Sequence, residues 1–310
     1  MAGAEPRIAV LLPCYNEEAA IAQTVAGFRA ALPGATIYVY DNNSRDRTIE
    51  VARAAGAVVR SERMQGKGNV VRRMFADVDA DIYLMADGDA TYDPAAAPAM
   101  VARVAAEGLD MIVGTRVHEA AEAYRRGHVL GNRVMTGILA RLFGRSFTDI
   151  FSGYRAFSRR FVKSFPVLSA GFEIETEISV HALELKMPVG EAETRYFARP
   201  EGSESKLSTY RDGWRILKTI AVLYRIERPM LFFGWIAAIL AAAAIGLSIP
   251  LALTWFETGL VPRFPTAILA TGLMLLAALN FFTGLILDTV VRGRREMRRL
   301  AYLAQPGPLR

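Results

Sequence analysis

The sequence is poor in the residues that form disulfides and soft metal sites. It contains one cysteine and three histidines in 310 residues. The single cysteine, Cys14, excludes an internal disulfide and any Cys-rich zinc site. Cys14 lies in a hydrophobic run, which favours a buried and unreactive thiol. The histidines His118, His128 and His181 are scattered without the spacing of metal ligands, so they predict no metal site.

Three further sequence signals are missing. There is no GxGxxG and no GxxxxGK[ST], so the sequence supports neither a standard dinucleotide site nor a P-loop. The N-terminus has too short an apolar stretch before Asn16, Glu17 and Glu18 for a secretory signal peptide. We therefore expect the N-terminal part of the chain to stay in the cytosol.

Charge is absent from two long runs near the C-terminus, residues 230 to 256 and 264 to 287. Each run exceeds the about 20 apolar residues that cross a bilayer as a helix. Only the stretch ETGLVPR separates them, so they predict a transmembrane helical hairpin. The overall composition agrees, since 52% of the residues are hydrophobic and the mean hydropathy is +0.22.

Basic residues flank this hairpin and account for much of the net charge of +6. Lys218, Arg225 and Arg228 precede the first run, and RGRREMRR follows the second. Because Lys and Arg prefer the cytoplasmic side, the sequence predicts a multi-pass protein of the cytoplasmic (inner) membrane with both termini cytosolic. These cations predict contact with anionic lipids, at about 1 kcal/mol each near the surface, and argue against nucleic acid as a partner.

The chain thus divides into four predicted segments. Residues 208 to 228 place apolar and aromatic side chains at helical spacing, which predicts an amphipathic helix on the membrane surface. A plain surface helix packed on the preceding domain is the alternative. The segments are a catalytic domain (1–207), this juxtamembrane helix (208–228), the hairpin (229–291) and a basic cytosolic tail (292–310).

The N-terminal two-thirds alternate short β-rich runs with helical patterns. This alternation predicts an α/β fold of the Rossmann-like type, with a mainly parallel sheet covered by helices on both faces. Ligands of such sheets bind beyond the carboxyl ends of the strands. Polar clusters follow four of the predicted strands, at residues 16–17, 41–43, 66–68 and 87–89. We therefore expect these clusters to converge on one binding site.

The last of these clusters lies in the acidic stretch MADGDATYDP, residues 85 to 94. Asp87 and Asp89 directly follow an apolar run and are separated by Gly88, which would let a ligand approach the backbone closely. Carboxylate pairs of this kind suit Mg²⁺ or Mn²⁺, with substrate phosphates completing the coordination. Asp93 before Pro94 predicts a helix N-cap instead.

Seven segments in order resemble one family. They are PCYNEE (13–18), DNNSRDRT (41–48), GKGNV (66–70), DGD (87–89), GTR (114–116), DIFSGYRAF (149–157) and RPEGSESKL (199–207). Together they resemble the inverting GT-A glycosyltransferases of family 2, and within them the polyprenyl-phosphate (dolichol-phosphate mannose synthase-like) enzymes. The resemblance covers about residues 7 to 226, and the hairpin that follows resembles the membrane-anchored members.

The resemblance implies a role for each matching residue. The nucleotide-sugar donor, a UDP- or GDP-sugar, would contact Pro13, Tyr15, Glu17, Asp41, Lys67, Asp87, Gly88 and Asp89. The metal, Mg²⁺ or Mn²⁺, would bind Asp87 and Asp89. The acceptor phosphate would face Arg116, Arg133, Arg199 and Lys206. The catalytic group would comprise Asp89, Asp149 and Arg155, and orientation of Arg155 or of an acceptor cation is the alternative role for Asp149.

The sequence departs from the family pattern at three places. The second strand ends in Tyr40-Asp41, where many relatives have two acids, and Asp89 is followed by Ala90-Thr91, where many have Leu-Gln or similar. The stretch from Arg199 to Lys206 is one residue longer than in the synthases.

These features predict transfer of a single hexose-type sugar from a nucleotide-sugar to polyprenyl phosphate at the cytosolic membrane face. A lipid monophosphate has a second pKa of about 6, so it is a nucleophile that needs little general-base help. The alternatives are another lipid or glycan acceptor, and a non-catalytic nucleotide-sugar-binding membrane protein. No QxxRW segment of processive synthases is present. Assembly into a homo-oligomer through the membrane helices is a further expectation.

Overall fold

The computed structural model describes residues 6–118, 137, 147–171, 173–200, 218, 221–222 and 224–307. Within these residues the chain forms two compact units. The first comprises Met1–Ile216 together with Arg298–Arg310, and the second comprises Leu217–Met297.

The first unit alternates strands and helices. Its strands are β1 (Ile8–Cys14), β2 (Thr36–Asp41), β3 (Val58–Ser61), β4 (Ile82–Met85), β5 (Met111–His118), β6 (Arg155–Ser158) and β7 (Val189–Tyr196). Its helices are α1 (Ile21–Ala31), α2 (Thr48–Ala54), α3 (Lys67–Asp77), α4 (Ala97–Ala106), α5 (Arg159–Ser164) and α6 (Ile174–Glu184), with a short 3₁₀ turn at Pro94–Ala96.

These strands form a seven-stranded sheet in the order β3-β2-β1-β4-β6-β5-β7. Strands β1 to β4 pair in parallel, β6 lies antiparallel between β4 and β5, and β7 is parallel to β5. The predicted α/β class with a mainly parallel sheet is confirmed. Strand β5 runs to His118, and β7 pairs with it along its whole length.

The core lies between the sheet and its helices. Val10, Leu12 and Leu84 of the central strands are fully buried, and Ile21 and Phe28 of α1 pack against this cluster. Each such side chain contributes about 1.5–3 kcal/mol through removal from water. Cys14 is 4% exposed, and burial raises the pKa of its thiol, which confirms the expected buried cysteine.

The second unit contains two long apolar helices, α7 (Pro229–Thr258) and most of α8 (Phe264–Leu303), which confirms the predicted hairpin. Both are long and apolar enough to cross a membrane, with mean hydropathies of 2.4 and 1.9 over their best windows. Large side chains such as Trp235, Ile239 and Leu279 are exposed, as expected of side chains that face lipid.

Small residues line the seam between α7 and α8 in this unit. The buried positions of α8 recur every seven residues, which keeps one stripe of the helix facing its partner. They are Ala270, Ala277, Gly284 and Val291, and α7 contributes Ala237 and Ala244. A Cβ atom at Gly284 would lie 3.2 Å from Cβ of Phe233, so small residues permit this close approach.

Two boundaries differ from the predicted segments. Helix α8 continues to Leu303, so most of the predicted tail is helical, and the residues from Arg298 onward belong to the first unit. Of the predicted juxtamembrane helix, residues 218, 221–222 and 224–227 are described and are helical. The charged stretch after residue 287 did not indicate that the helix continues, because apolar periodicity is the main sequence signal of a helix.

Buried charge holds the end of α8 within the first unit. Asp110 is fully buried and accepts hydrogen bonds from Ser158 Oγ at 2.7 Å, Arg160 Nη2 at 2.9 Å and Tyr302 Oη at 2.7 Å. The Arg160 guanidinium also lies 4.7 Å from the centroid of the Tyr302 ring. One carboxylate therefore joins three separate segments of the chain.

We predict that Asp110→Ala destabilises the protein strongly, because Arg160 loses its buried counter-ion and two hydroxyl groups lose their acceptor. The expected fall in the melting temperature of the full chain in detergent is roughly 6–12 °C, equivalent to about 3 kcal/mol.

Glu107→Ala is the matched control, since Glu107 also accepts two bonds from an arginine, Arg103, but at the surface. Its melting temperature should change by less than about 2 °C. Equal melting temperatures for the two variants would contradict the role of Asp110.

Candidate active site

The loops that follow β1 and β2 are bonded to each other at the carboxyl ends of the strands. The Asn16 amide donates to Ser44 Oγ at 2.8 Å, and the Arg45 amide donates to Asn16 Oδ1 at 2.8 Å. The Glu17 amide donates to Thr48 Oγ1 at 2.9 Å. Asn16 has φ of 52°, a left-handed conformation that Asn tolerates better than most residues. These hydrogen bonds therefore join the two loops, beside the first two predicted clusters, into one rim.

Asp41 brings a buried acceptor to this rim. Its Oδ2 accepts a hydrogen bond from the Ser44 amide at 3.1 Å, while its Oδ1 has no hydrogen-bond partner among the described residues. The residue is 2% exposed. A buried acceptor without a partner costs about 1–3 kcal/mol, so Asp41 Oδ1 is positioned to accept a bond from a ligand N–H or O–H group.

The third cluster is a tight turn at the start of α3. The Gly66 amide donates to Asn42 Oδ1 at 2.7 Å, and the Gly68 amide donates to the Ala170 carbonyl at 3.0 Å. A Cβ atom would lie 2.2 Å from the Ala170 oxygen at Gly66, and 2.1 Å from the Ser169 oxygen at Gly68. Only glycine fits at these two positions, and the turn between them holds Lys67 in place.

Lys67 bridges two carboxylates inside the site. Its Nζ lies 2.5 Å from Asp87 Oδ1 and 2.5 Å from Glu175 Oε1. Burial by itself lowers the pKa of Lys67, but the charges of Asp87 and Glu175 outweigh this effect and hold the pKa above its ordinary value. Lys67 is therefore a permanent positive charge.

Asp89 is held from two sides. Its Oδ1 accepts bonds from Thr91 Oγ1 at 2.6 Å and from the Thr91 amide at 3.2 Å. Its Oδ2 lies 2.5 Å from Arg199 Nη2, and another nitrogen of Arg199 lies 3.7 Å from Glu17 Oε1. Burial and the charge of Asp87 raise the pKa of Asp89, and Arg199 opposes that rise.

Two glycines allow the acidic stretch to pack this closely. A Cβ atom at Gly88 would lie 2.3 Å from Cys14 Sγ, so the turn between the carboxylates presses on β1. A Cβ atom at Gly153 would lie 2.9 Å from Asp87 Oδ2 and 3.1 Å from Lys67 Nζ. The positions of Asp87 and Lys67 thus depend on Gly153, which has no side chain and lies in the segment before β6.

A second arginine–carboxylate pair lies on β5. Arg116 donates to Asp149 Oδ2 at 2.7 Å and Oδ1 at 2.8 Å, a bidentate arrangement. The guanidinium carbon also lies 5.5 Å from the centroid of the Tyr196 ring on β7. Asp149 therefore fixes the direction of Arg116, which was the alternative role considered for it.

Arg155, expected to take part directly, is fully buried in β6. It donates to the carbonyls of Ser152, Ile150 and Glu175 and to Ser179 Oγ. Burial lowers its pKa to about 10. The side chain is fully enclosed and already hydrogen-bonded, so these contacts favour a supporting role over the predicted catalytic role. Arg155 holds the backbone that carries Glu175 and the 150–152 turn.

Asp93 occupies the helix-cap position that the sequence predicted. Its Oδ1 accepts a bond from the Ala95 amide at 2.9 Å, and Pro94 begins the 3₁₀ turn that leads into α4. The acidic stretch therefore separates into a pair in the site and a cap outside it.

The donor set suits a hard divalent cation with substrate ligands. Among the residues that the structure describes, no group of three or more His, Cys, Asp or Glu is placed to hold a metal ion. Asp87 and Asp89 would therefore supply two carboxylates, and Mg²⁺ or Mn²⁺ would take its remaining ligands from phosphate and water. Thr91 donates to Oδ1 of Asp89, so Oδ2 is the oxygen left for a cation. In this structure that cation is the Arg199 guanidinium.

Among the predicted site residues, these contacts join Glu17, Asp89 and Arg199, and they separately join Lys67 to Asp87 and Arg116 to Asp149. Tyr15 is half-buried and Pro13 is buried at the end of β1. Arg133 and Lys206 fall outside the described residues. Glu175 and Thr91 were not among the predicted site residues. A threonine two residues after the second acid was a usable signal, because its hydroxyl and amide can both reach that carboxylate.

Comparison with known proteins identifies the class that has this fold and site. Residues 9–165 match the family model described as glycosyl transferase family 2. The chain is 32% identical over 299 residues to the glycosyltransferase AglJ of Haloferax volcanii, covering 96% of this chain and 98% of that protein. It is 27% identical over 221 residues to a dolichyl-phosphate hexose transferase of the same organism, covering 71% and 95%.

A solved structure shares the fold. Glucosyl-3-phosphoglycerate synthase from Mycobacterium tuberculosis, crystallised with Mn²⁺, UDP and phosphoglyceric acid, aligns with a TM-score of 0.58 at 22% identity. The alignment covers 71% of this chain and 78% of that chain. The protein belongs to glycosyl transferase family 2 and has the GT-A architecture that the sequence motifs predicted.

We predict that Gly68→Ala displaces the Lys67 turn, because its Cβ would overlap the Ser169 carbonyl. Overpacking of about 1–3 kcal/mol should lower the melting temperature by roughly 2–10 °C. Gly34→Ala is the control, since a Cβ atom there meets nothing within 4 Å. An unchanged melting temperature in Gly68→Ala would contradict the close contact.

Proposed function

We propose that this glycosyltransferase transfers a single hexose-type sugar, with inversion, from a nucleotide-sugar to polyprenyl phosphate at the cytosolic face of the membrane. The observation that carries the proposal is the alternation of charge at the strand ends. The acids Asp87 and Asp89 contact the cations Lys67 and Arg199, and a further arginine, Arg116, lies on β5. Such a surface suits a reaction between two phosphorylated substrates.

The donor would bind across the rim formed by the loops after β1 and β2. Asp41 Oδ1, buried and without a partner among the described residues, would accept a bond from the base or ribose. Pro13, Tyr15 and Glu17 would complete this pocket, and Lys67 would lie beside the diphosphate. UDP- and GDP-sugars both offer N–H and O–H groups of the required kind.

Asp87 and Asp89 would hold Mg²⁺ or Mn²⁺ against the donor diphosphate, and the bound cation would stabilise the charge that develops on the leaving oxygen. Support comes from the carboxylate pair itself and from the solved relative crystallised with Mn²⁺ and UDP. Thr91 would keep Asp89 in position, and Lys67 would keep the charge of Asp87 in balance.

The acceptor phosphate would be positioned by cations, chiefly Arg116 and Arg199 with Arg133 and Lys206. The Arg116–Asp149 geometry favours an acceptor of this kind. Both oxygens of Asp149 accept bonds from Arg116, so the carboxylate is poorly placed to remove a proton. A lipid phosphate, with a second pKa of about 6, is mostly a dianion at neutral pH and needs no such base.

The long apolar helices α7 and α8 would anchor the enzyme where its lipid substrate lies, and their basic flanks would contact anionic lipids. Another lipid or glycan acceptor is the second candidate, because family 2 membership does not by itself fix the acceptor. A hydroxyl acceptor would need a general base, which separates the two candidates chemically.

The first test of the proposed function concerns the metal pair, Asp87 and Asp89. With Mg²⁺ or Mn²⁺ in detergent, the enzyme should transfer radiolabelled sugar from at least one of a panel of UDP- and GDP-sugars to short-chain polyprenyl phosphate. Asp89→Ala should lower this turnover by about 100-fold or more, because the leaving diphosphate loses its electrostatic stabilisation.

Asp93→Ala is the matched control, since it removes a neighbouring carboxylate that caps a helix. It should lose about 1 kcal/mol of stability and keep its turnover. Equal turnover in Asp89→Ala and the wild type would remove Asp89 from the mechanism.

The second prediction concerns membrane sidedness. Because Cys14 is buried, new cysteines at exposed positions can be labelled selectively. In intact bacterial spheroplasts a membrane-impermeant maleimide should label Glu257→Cys, whereas Arg294→Cys should be labelled only after permeabilisation. The opposite pattern would reverse the proposed orientation.

A further inference from the structure

The segment that carries Arg199 is fixed beside the acidic stretch. The Phe197 amide donates to the Thr91 carbonyl at 2.8 Å, and Tyr92 and Tyr196 form an isolated antiparallel bridge. The Tyr92 and Tyr196 rings also pack edge to face, with centroids 5.3 Å apart. The chain that leaves β7 therefore runs directly past Thr91, and Arg199 reaches Asp89 from this short stretch.

Arg199 contacts the oxygen of Asp89 that a metal ion would need. Thr91 occupies Oδ1, and the Arg199 nitrogen lies 2.5 Å from Oδ2. A divalent ion binds carboxylate oxygen at about 2.0–2.2 Å, so it would place two positive charges against the guanidinium. The two cations repel strongly at that separation in a partly buried site. Arg199 and a metal ion on Asp89 thus exclude each other.

Lys67, the other cation of the acidic pair, differs from Arg199 in two respects. Its side chain is 9% exposed and is shared with Glu175, so its departure from Asp87 would leave two carboxylates without a cation. The Arg199 side chain is 26% exposed, and Glu17 lies within 3.7 Å as a neighbouring carboxylate. Of these two cations, Arg199 is the more exposed, so its departure requires less rearrangement of the buried charges.

We propose that Arg199 is an exchangeable counter-ion of Asp89, displaced when a divalent cation binds, and that this exchange releases it toward the acceptor phosphate. This inference rests on the proposed function for the identity of the acceptor. While Arg199 neutralises Asp89 and lies beside Glu17, these carboxylates offset its charge and repel an acceptor phosphate. Capture of the acceptor by Arg199 therefore follows loading of the metal with its donor.

The inference is tested by metal binding alone, without donor or acceptor. Free Mn²⁺ is measured by electron paramagnetic resonance during titration of the full-length enzyme in detergent. Arg199→Met should bind Mn²⁺ about tenfold more tightly than the wild type, because the ion no longer competes with a charge-assisted bond. Asp89→Ala should lose this binding, which assigns the signal to the site.

Arg47→Met is the control for a general loss of positive charge. Arg47 lies between β2 and α2, pairs with Glu18 at 2.6 Å and has a side chain that is 78% exposed. Its Mn²⁺ affinity should equal that of the wild type. Equal affinities of Arg199→Met and the wild type would overturn the exchange, as would a rise of the same size in Arg47→Met.

The outcome separates the inference from the proposed function. If Asp89→Ala abolishes both Mn²⁺ binding and sugar transfer while Arg199→Met binds Mn²⁺ like the wild type, the metal site stands and the exchange fails. If neither the wild type nor Arg199→Met binds Mn²⁺ saturably, the exchange also fails, because no ion reaches Asp89. Sugar transfer measured in parallel shows whether the proposed reaction survives either result.

Discussion

The bridge from Lys67 to Asp87 and Glu175 is the interaction on which the site depends. Several carboxylates lie at one end of the sheet, and those of Asp89 and Glu175 are almost completely buried. Carboxylates brought this close without compensation would take up protons and lose the charge that binds a cation. Lys67 prevents this for two of them, and its own position depends on glycine contacts that no other residue permits. The acidic pair is therefore maintained by the fold around it.

The sheet topology explains how distant segments supply these charges. Parallel pairing of β2, β1 and β4 brings three strand ends together, and the turn before α3 adds Lys67. The antiparallel strand β6 then separates β4 from β5, and β7 runs parallel to β5. The end of β7 consequently lies beside Thr91, which is how Arg199 reaches Asp89.

Strands and side chains with a strong local sequence signal could be predicted, and those without one could not. Strands β1, β2 and β4 and the carboxylates after them were predictable because a buried parallel strand is a continuous apolar run. Strand β7 was not, because VGEAETRY is half-exposed and reads as polar. The partnership of Lys67 with Glu175 depends on tertiary contact and has no local pattern. The burial of Arg155 was not predictable either, because a charged residue in a motif resembles a functional one, whereas this guanidinium donates to three buried carbonyls and to Ser179 Oγ.

Both arginines of the site are held by a carboxylate. Arg116 is held by Asp149 and by the Tyr196 ring, and Arg199 is held by Asp89. A guanidinium fixed in this way loses little conformational freedom when a phosphate binds it, so Asp149 would prepare Arg116 for a phosphorylated substrate. The two pairs differ in what can replace the arginine. Asp149 is bound bidentately and away from the acidic pair, whereas Asp89 adjoins Asp87 and can accept a divalent ion instead. The Arg116–Asp149 pair therefore sets the direction of Arg116. The release of Arg199 from Asp89 instead depends on the binding of a divalent ion with the donor.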